Sequence, residues 1–153
     1  MIWLWLLGCG GGGASTVDTT PDPIGYDECV VCGMVVSEQP PPRGQAIHRD
    51  GTHAFACSLG DLRAFLQAPS PLGPPVAVYV EALGDDLDAQ GPLPWVAAAS
   101  ATYVSGVDRP LVMGVPLLSY ADRAAAERAA ATHGGTVHDW VSVSATPFSE
   151  PPR

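Results

Sequence analysis

The sequence predicts an α+β fold of two similar ββαβ units packed together. One succession of hydrophobic periodicities, strand, strand, helix, strand, occurs twice along the chain. In both occurrences a strand ending at a serine runs into an acidic helix start: "FACSLGDLRAFL" in the first and "PLLSYADRAAAE" in the second. The 153 residues include 16 prolines and 17 glycines, which keep the elements short and the connections irregular. This length bounds the answer to one compact domain or two small ones in contact.

The chain opens on "MIWLWLLGCGGGG", an apolar burst that closes on Leu6-Leu7-Gly8-Cys9 before a glycine run. This ending resembles a bacterial lipobox, although no Lys or Arg precedes it. The resemblance implies a lipoprotein signal over residues 1–9, lipidation of Cys9, and an anchor at the periplasmic face of the outer membrane. The bland alternative is an N-terminal strand or loose end with one stray thiol. Residues 10–25 read as a flexible tether.

The first unit covers 26–82. Its "QAIHRD" and "HAFACSL" flank an Asp-Gly turn, a hairpin signal. "LGDLRAFLQ" then places Leu59, Leu62, Phe65 and Leu66 at helical spacing with Ser58 as cap, and "VAVYVEAL" is a β-branched run. Residues 83–100 form a connection. Its aspartates lack the glycine and distal glutamate of a calcium loop, and Trp95 packs it onto the domain. The second unit, 101–145, contains "ATYVSG", "GVPLLSY", an alanine-rich helix from Asp122 to Gly134-Gly135, and "GTVHDWVSV" as its last strand. Tyr103 and Trp140 are assigned to the core. Residues 146–153 read as a disordered tail.

The net charge of −9 comes with seven arginines and no lysine, so no basic patch for nucleic acid can be drawn. No run after the N-terminus approaches the roughly 20 apolar residues of a membrane span. Chemistry concentrates instead in "DECVVCGMVV", which carries Cys29, Cys32 and Met34. A thioredoxin-like dithiol sits at a helix start, and the pattern after Cys32 predicts a glycine turn and a short extended segment. Structural zinc asks for four N or S ligands, and the only thiol beyond the pair and Cys9 is Cys57. Monovalent copper fits better: it prefers thiolate and thioether donors and accepts low coordination numbers.

Other residues keep two readings each. Met113, between Pro110 and Pro116, is by pattern alone a packing residue or a second thioether donor. Cys57 reads as a buried strand thiol or a participant in the site. His48 and His53 flank the hairpin turn and are expected to face solvent, with His48 retained as a candidate ligand. His133 suits a helix C-terminus, and His138 reads as a strand residue of no special role. Asp27 and Glu28, beside the thiols in sequence, are expected to raise their pKa values. No Cys–His signature of nucleophilic catalysis is recognisable.

"DECVVCGMVV", "GQAIHRDG", "FACS", "VYVEAL", "AAASATYVSG", "VMGVPLLSYADRAAA" and "HGGTV" follow in order the pattern of the NosL family, from about Asp27 to Trp140. That family comprises copper-chaperone lipoproteins of the nitrous oxide reductase system. The resemblance implies a NosL/organomercurial-lyase-like arrangement of two ββαβ units, a lipidated Cys9, and Cu(I) as cargo. It places the family's CxxCGM on Cys29, Cys32, Gly33 and Met34, and its MG element on Met113 and Gly114. The Phe-Cys-Ser element falls near Phe55–Ser58 with Ala56 as an extra residue, so the facing of Cys57 stays open. The chain lacks the His- and Met-rich C-terminal tail of some members. The expected copper ligands are thus Cys29, Cys32, Met34 and Met113, with Cys57 and His48 as further candidates and no catalytic residue. The implied partner is nitrous oxide reductase or its maturation ABC transporter complex. The alternative is an envelope CxxC thiol redox or structural zinc protein.

Overall fold

Hairpin chemistry starts the fold. His48 N–H donates to the Thr52 carbonyl at 2.9 Å, Gly51 N–H to the His48 carbonyl at 3.0 Å, and Asp50 accepts from Thr52 N–H at 3.0 Å. This turn joins β1 (Gly44–Ile47) to β2 (His53–Ala56). The computed structural model describes residues 16–109 and 116–145, and its elements continue as α1 (Leu59–Gln67), β3 (Ala77–Glu81), β4 (Trp95–Ala97), β5 (Thr102–Ser105), β6 (Leu117–Tyr120), α2 (Arg123–His133), β7 (Thr136–His138) and α3 (Trp140–Ala145). Cys9, Met113 and the tail from 146 lie outside the described residues. Among those described, no helix is long and apolar enough to cross a membrane.

The strands form two sheets, in the orders β2-β1-β3-β4 and β6-β5-β7. In each, the first strand of the unit is central and antiparallel to both neighbours. The two expected ββαβ units are therefore present, with one topology. Both helices begin as their caps predict. Ser58 Oγ accepts Asp61 N–H at 3.1 Å, and Asp122 Oδ1 accepts Ala125 N–H at 2.9 Å, each satisfying an otherwise orphaned donor.

Register divides the first sheet into two faces. Ala46, Ala54, Ala56 and Val80 point towards α1 and join Leu59, Leu62, Tyr103, Leu117 and Val143 in the largest core cluster. That cluster is shared by both units. At Gly44 a Cβ would fall 2.5 Å from Leu62 Cδ2, so glycine is what lets α1 lie directly on β1. The second sheet turns Val104, Leu118 and Val137 towards α2, where Ala125 and Ala126 pack against them.

Three local expectations are corrected. The connection contributes a fourth strand, β4, paired to β3 with Trp95 opposite Glu81. The last strand stops at His138, because Asp139 accepts from Ser142 N–H and Oγ at 2.8 and 2.6 Å and starts α3. The expected extended segment after Met34 is brief, with Val35 bridged antiparallel to Glu28, and gives way to a 3-10 turn over Val36–Glu38.

Arg43 and Glu81 are 2 % and 0 % exposed and form a bidentate pair with two contacts of 2.7 Å. Glu81 also accepts from the backbone N–H of Arg43 at 3.0 Å and of Leu93 at 2.9 Å, while Arg43 donates to the Gly91 carbonyl at 2.7 Å. Breaking such a pair leaves one buried charge uncompensated. Arg43→Met is expected to lower unfolding free energy by about 3–5 kcal/mol in a urea titration followed by circular dichroism.

Candidate metal centre

The second face of the first sheet carries the site. His53, Phe55 and Cys57 alternate on it along β2 and its extension, and Gln45 and Tyr79 stand beside Phe55 in register. The chain from Thr19 to Met34 lies over this face. Tyr79 OH donates to the Thr19 carbonyl at 2.8 Å. Asp22 N–H donates to Gln45 Oε1 at 2.9 Å, and its carbonyl accepts from Gln45 Nε2 at 3.2 Å and Trp95 Nε1 at 3.1 Å. His53 Nδ1 lies 3.0 Å from Asp22 Oδ2. Residues 19–25, expected as part of a loose tether, are thus docked by side chains the sequence pattern leaves unassigned.

The cysteine loop is closed by Cys29 N–H to the Met34 carbonyl at 2.8 Å and Gly33 N–H to the Cys29 carbonyl at 2.9 Å. Gly33 sits at φ +73, which a residue with a side chain adopts only with strain. Val30 N–H donates to the Phe55 carbonyl at 2.9 Å and fixes the loop to β2.

Cys29, Cys32, Cys57 and Asp61 then converge, with one ligand atom from each lying within 4.8 Å of the others. Cys32 Sγ is 3.4 Å from Cys57 Sγ; Cys57 Sγ donates to Asp61 Oδ2 at 3.0 Å, and Cys29 Sγ to the same oxygen at 3.5 Å. Cys29 and Cys57 are buried and Cys32 is half-buried, so the site has one sulfur towards solvent. Cys29, Cys57, Val36 and Phe55 form a small core of their own, with Cys32, Met34 and Trp95 packed on it.

The two buried thiols are driven apart electrostatically. Burial opposes ionisation of Cys29, but N–H donors from Cys32, Cys57 and Val31 outweigh it and hold this thiol below its ordinary range. Burial pushes Cys57 well above its ordinary range, and the hydrogen bond to Asp61 pushes it further. The carboxylate that acts on the thiols is therefore Asp61, from the first turn of α1, and not Asp27 or Glu28. The sequence offered a signal: Asp61 follows Cys57 by four residues across a serine cap. By local pattern alone it is an acidic helix start.

A match to the NosL family model spans residues 23–147. The chain belongs to the NosL family. Its relatives include the copper-binding lipoprotein NosL of Stutzerimonas stutzeri, 33% identical over 138 residues, with 86% of this chain and 70% of that one covered. The crystal structure of the copper chaperone NosL from Shewanella denitrificans superposes with a TM-score of 0.73 at 25% identity, covering 84% of this chain and 98% of that one. These NosL relatives are named for copper binding or copper chaperoning, and neither is named as an enzyme.

Against this NosL frame the sequence-derived residues separate. Cys29 and Cys32 come together, and Cys57 faces them, so the extra residue Ala56 does not turn it away. Met34 packs against the same small core. Met113 lies outside the described residues. His48 is corrected: it is fully buried, not solvent-facing, and among the described residues no histidine joins the sulfur cluster. The register explains its absence, since His48 follows Ile47, opposite His53, whereas Cys57 follows Ala56, opposite Gly44. The two residues sit at opposite ends of the hairpin. His138 hydrogen-bonds Ser105 Oγ at 2.8 Å in the second unit.

Both ring nitrogens of His48 are buried without hydrogen-bond partners, and the ring meets Phe65 edge-on at 5.7 Å. Unsatisfied buried polar atoms cost stability, so an apolar residue of similar size removes a penalty. His48→Leu is expected to raise the thermal midpoint, by an amount worth about 1 kcal/mol, and to leave copper affinity unchanged in a chelator competition.

Proposed function

We propose that this chain carries Cu(I) on the sulfur cluster of its first unit and hands it on by ligand exchange. The observation that carries the reading is the convergence of three thiols, two sealed and one facing outward. Soft sulfur donors select monovalent copper over harder cations. Cys29, Cys32 and Cys57 are the proposed ligands, Met34 is the adjacent thioether, and Met113 is the proposed donor from the second unit. Asp61 is the hydrogen-bond acceptor that orients Cys57 and Cys29. Transfer needs no covalent chemistry: an acceptor's donor enters beside the half-buried Cys32 before the sealed sulfurs let go.

The resemblance to the NosL pattern suggests as acceptor nitrous oxide reductase or its maturation ABC transporter complex. Cys9 would hold the chain by a lipid at the periplasmic face of the outer membrane. The acidic balance of 16 carboxylates against seven arginines favours an acceptor with a basic docking face. A second reading, a structural zinc site, has one specific observation in its favour: three thiols and a carboxylate make a donor set that zinc also accepts.

Titrating the reduced chain with Cu(I) against a chromogenic chelator tests the choice. One tightly held copper is expected. Cys29→Ser and Cys32→Ser should each weaken it by more than the roughly 100-fold typical of residues outside the ligand set. Stoichiometric zinc that copper does not displace would instead establish the second reading.

Copper uptake must also displace thiol protons. Cys57, held protonated above its usual range, loses its proton on binding. Affinity should therefore rise with pH, log K climbing by at least about one per pH unit across roughly pH 6–8, the Cys57 proton alone supplying that slope. Asp61→Asn removes one cause of the raised Cys57 value, so the rise should level off at a lower pH in the same competition assay.

A further inference from the structure

We propose that Cys32 and Cys57 form a reversible disulfide, a modification site that removes two of the three thiols at once. Its consequence for copper rests on the carrier reading above; the linkage itself rests on geometry. The sequence offers Cys29 and Cys32 as the natural pair, because they are two residues apart. The fold pairs differently. Cys32 Sγ lies 3.4 Å from Cys57 Sγ, a residue 25 positions away and on a separate element. Cys29 Sγ lies within 4.8 Å of both sulfurs, accepts from Cys57 N–H at 3.4 Å and donates to Asp61 Oδ2 at 3.5 Å.

A disulfide bond is about 2.05 Å long, which leaves roughly 1.4 Å for the Cys32 loop to close. Cys32 is well placed to supply that movement. It is half-buried, with exposed Val31 and Gly33 on either side, whereas Cys57 is 4 % exposed between the end of β2 and the start of α1.

Accessibility also sets the order of events. Cys32, as thiolate, attacks one sulfur of an external disulfide R–S–S–R, of a small thiol or a protein dithiol, and releases one R–S⁻. Cys57 sulfur then attacks Cys32 in the mixed disulfide and releases the second. The two protons from Cys32 and Cys57 end on two R–SH molecules. Two thiols are oxidised and one external disulfide is reduced, so the exchange balances and runs backwards with a reducing dithiol. Copper held across Cys32 and Cys57 blocks the reaction, and the closed disulfide blocks copper. The cargo and the oxidant compete for one pair of atoms.

The test uses the full chain carrying Cys9→Ser, reduced and copper-free, exposed to oxidised glutathione. Non-reducing peptide mapping by mass spectrometry is expected to find one intramolecular linkage, Cys32 to Cys57, with Cys29 alkylated after unfolding. The linkage should persist in Cys29→Ser and disappear in Cys32→Ser and in Cys57→Ser. The oxidised chain should bind Cu(I) about 100-fold or more weakly than the reduced one, and dithiothreitol should restore it. A predominant Cys29–Cys32 linkage, thiols that all stay free, or an oxidised chain with undiminished copper affinity would each overturn the proposal. Titration of the reduced chain judges the carrier reading separately: a mapped Cys32–Cys57 linkage in a reduced chain that binds no copper would sink the carrier and leave the redox pair standing.

Discussion

Glu81 ties the two halves of this protein into one frame, its carboxylate within the first unit and its backbone carbonyl reaching the second. Glu81, at the end of β3, takes the Arg43 guanidinium on both oxygens and two backbone N–H groups besides. Its own carbonyl accepts Ser119 Oγ from β6 at 2.5 Å, and Leu83 N–H donates to the Ser119 carbonyl at 2.8 Å. Five chain segments, the start of β1, the end of β3, the turn at Gly91, the approach to β4 and the middle of β6, thereby meet at one ion pair. Taking two charges out of water is costly, and full hydrogen bonding is the condition under which a buried pair persists. What the arrangement supplies is register: a one-residue slip of β1 against β3 would turn Arg43 away from Glu81 and bury both charges alone.

Fixed register matters because the candidate metal site is a layer laid upon that sheet. Phe55 and Cys57 present one face, and the chain from Thr19 to Met34 is pinned on it through Gln45, Tyr79 and Trp95. The loop adds two thiols to the one from the strand end, and α1 adds Asp61. Each sulfur therefore arrives on a different kind of support. Cys57 stands between the β1–β2 hairpin and a capped helix, Cys29 is closed into a backbone-bonded turn, and Cys32 rides on the outer bend of that turn. Sealed inner donors with one half-buried outer donor suit a carrier, since exchange starts at the least enclosed ligand.

The sequence made the repeating topology legible because its signals are local. Ser58 and Asp122 as caps, the Asp50-Gly51 turn and the spacing of Leu59 and Leu62 need no knowledge of the rest of the chain. The features it concealed are long-range. Nothing local distinguishes the buried Arg43 from the exposed Arg49. Nothing in "WVA" announces a fourth strand, because three residues carry too little periodicity and pairing with β3 decides the matter. The docked stretch from Thr19 is polar and proline-flanked, so its composition reads as a tether, while its attachment is made by backbone groups that every residue possesses. His48 misled for a related reason. A histidine next to a hairpin turn is ordinarily solvated, but here α1 folds across it and Phe65 closes over the ring. Cys29, Cys32 and Cys57 were identifiable as chemistry-bearing residues; their grouping around Asp61 was not.

The two units also show that topology alone does not make the site. Aligned on their helix caps, Ser58 matches Asp122, Cys57 matches Ala121, and Asp61 matches Ala125. The second unit thus repeats the strand–cap–helix junction with methyl groups where the first has a thiol and a carboxylate. Its junction is also uncapped by any cysteine loop, because β5 follows directly on β4 and a 3-10 turn at Ala98–Ser100. The second unit instead turns Tyr103 and Leu117 into the shared core and completes the wall behind α1. Among the described residues, the second unit therefore bears on the candidate metal site by packing: by backing α1 it holds Asp61 in place, and with it the two sulfurs bonded to Asp61.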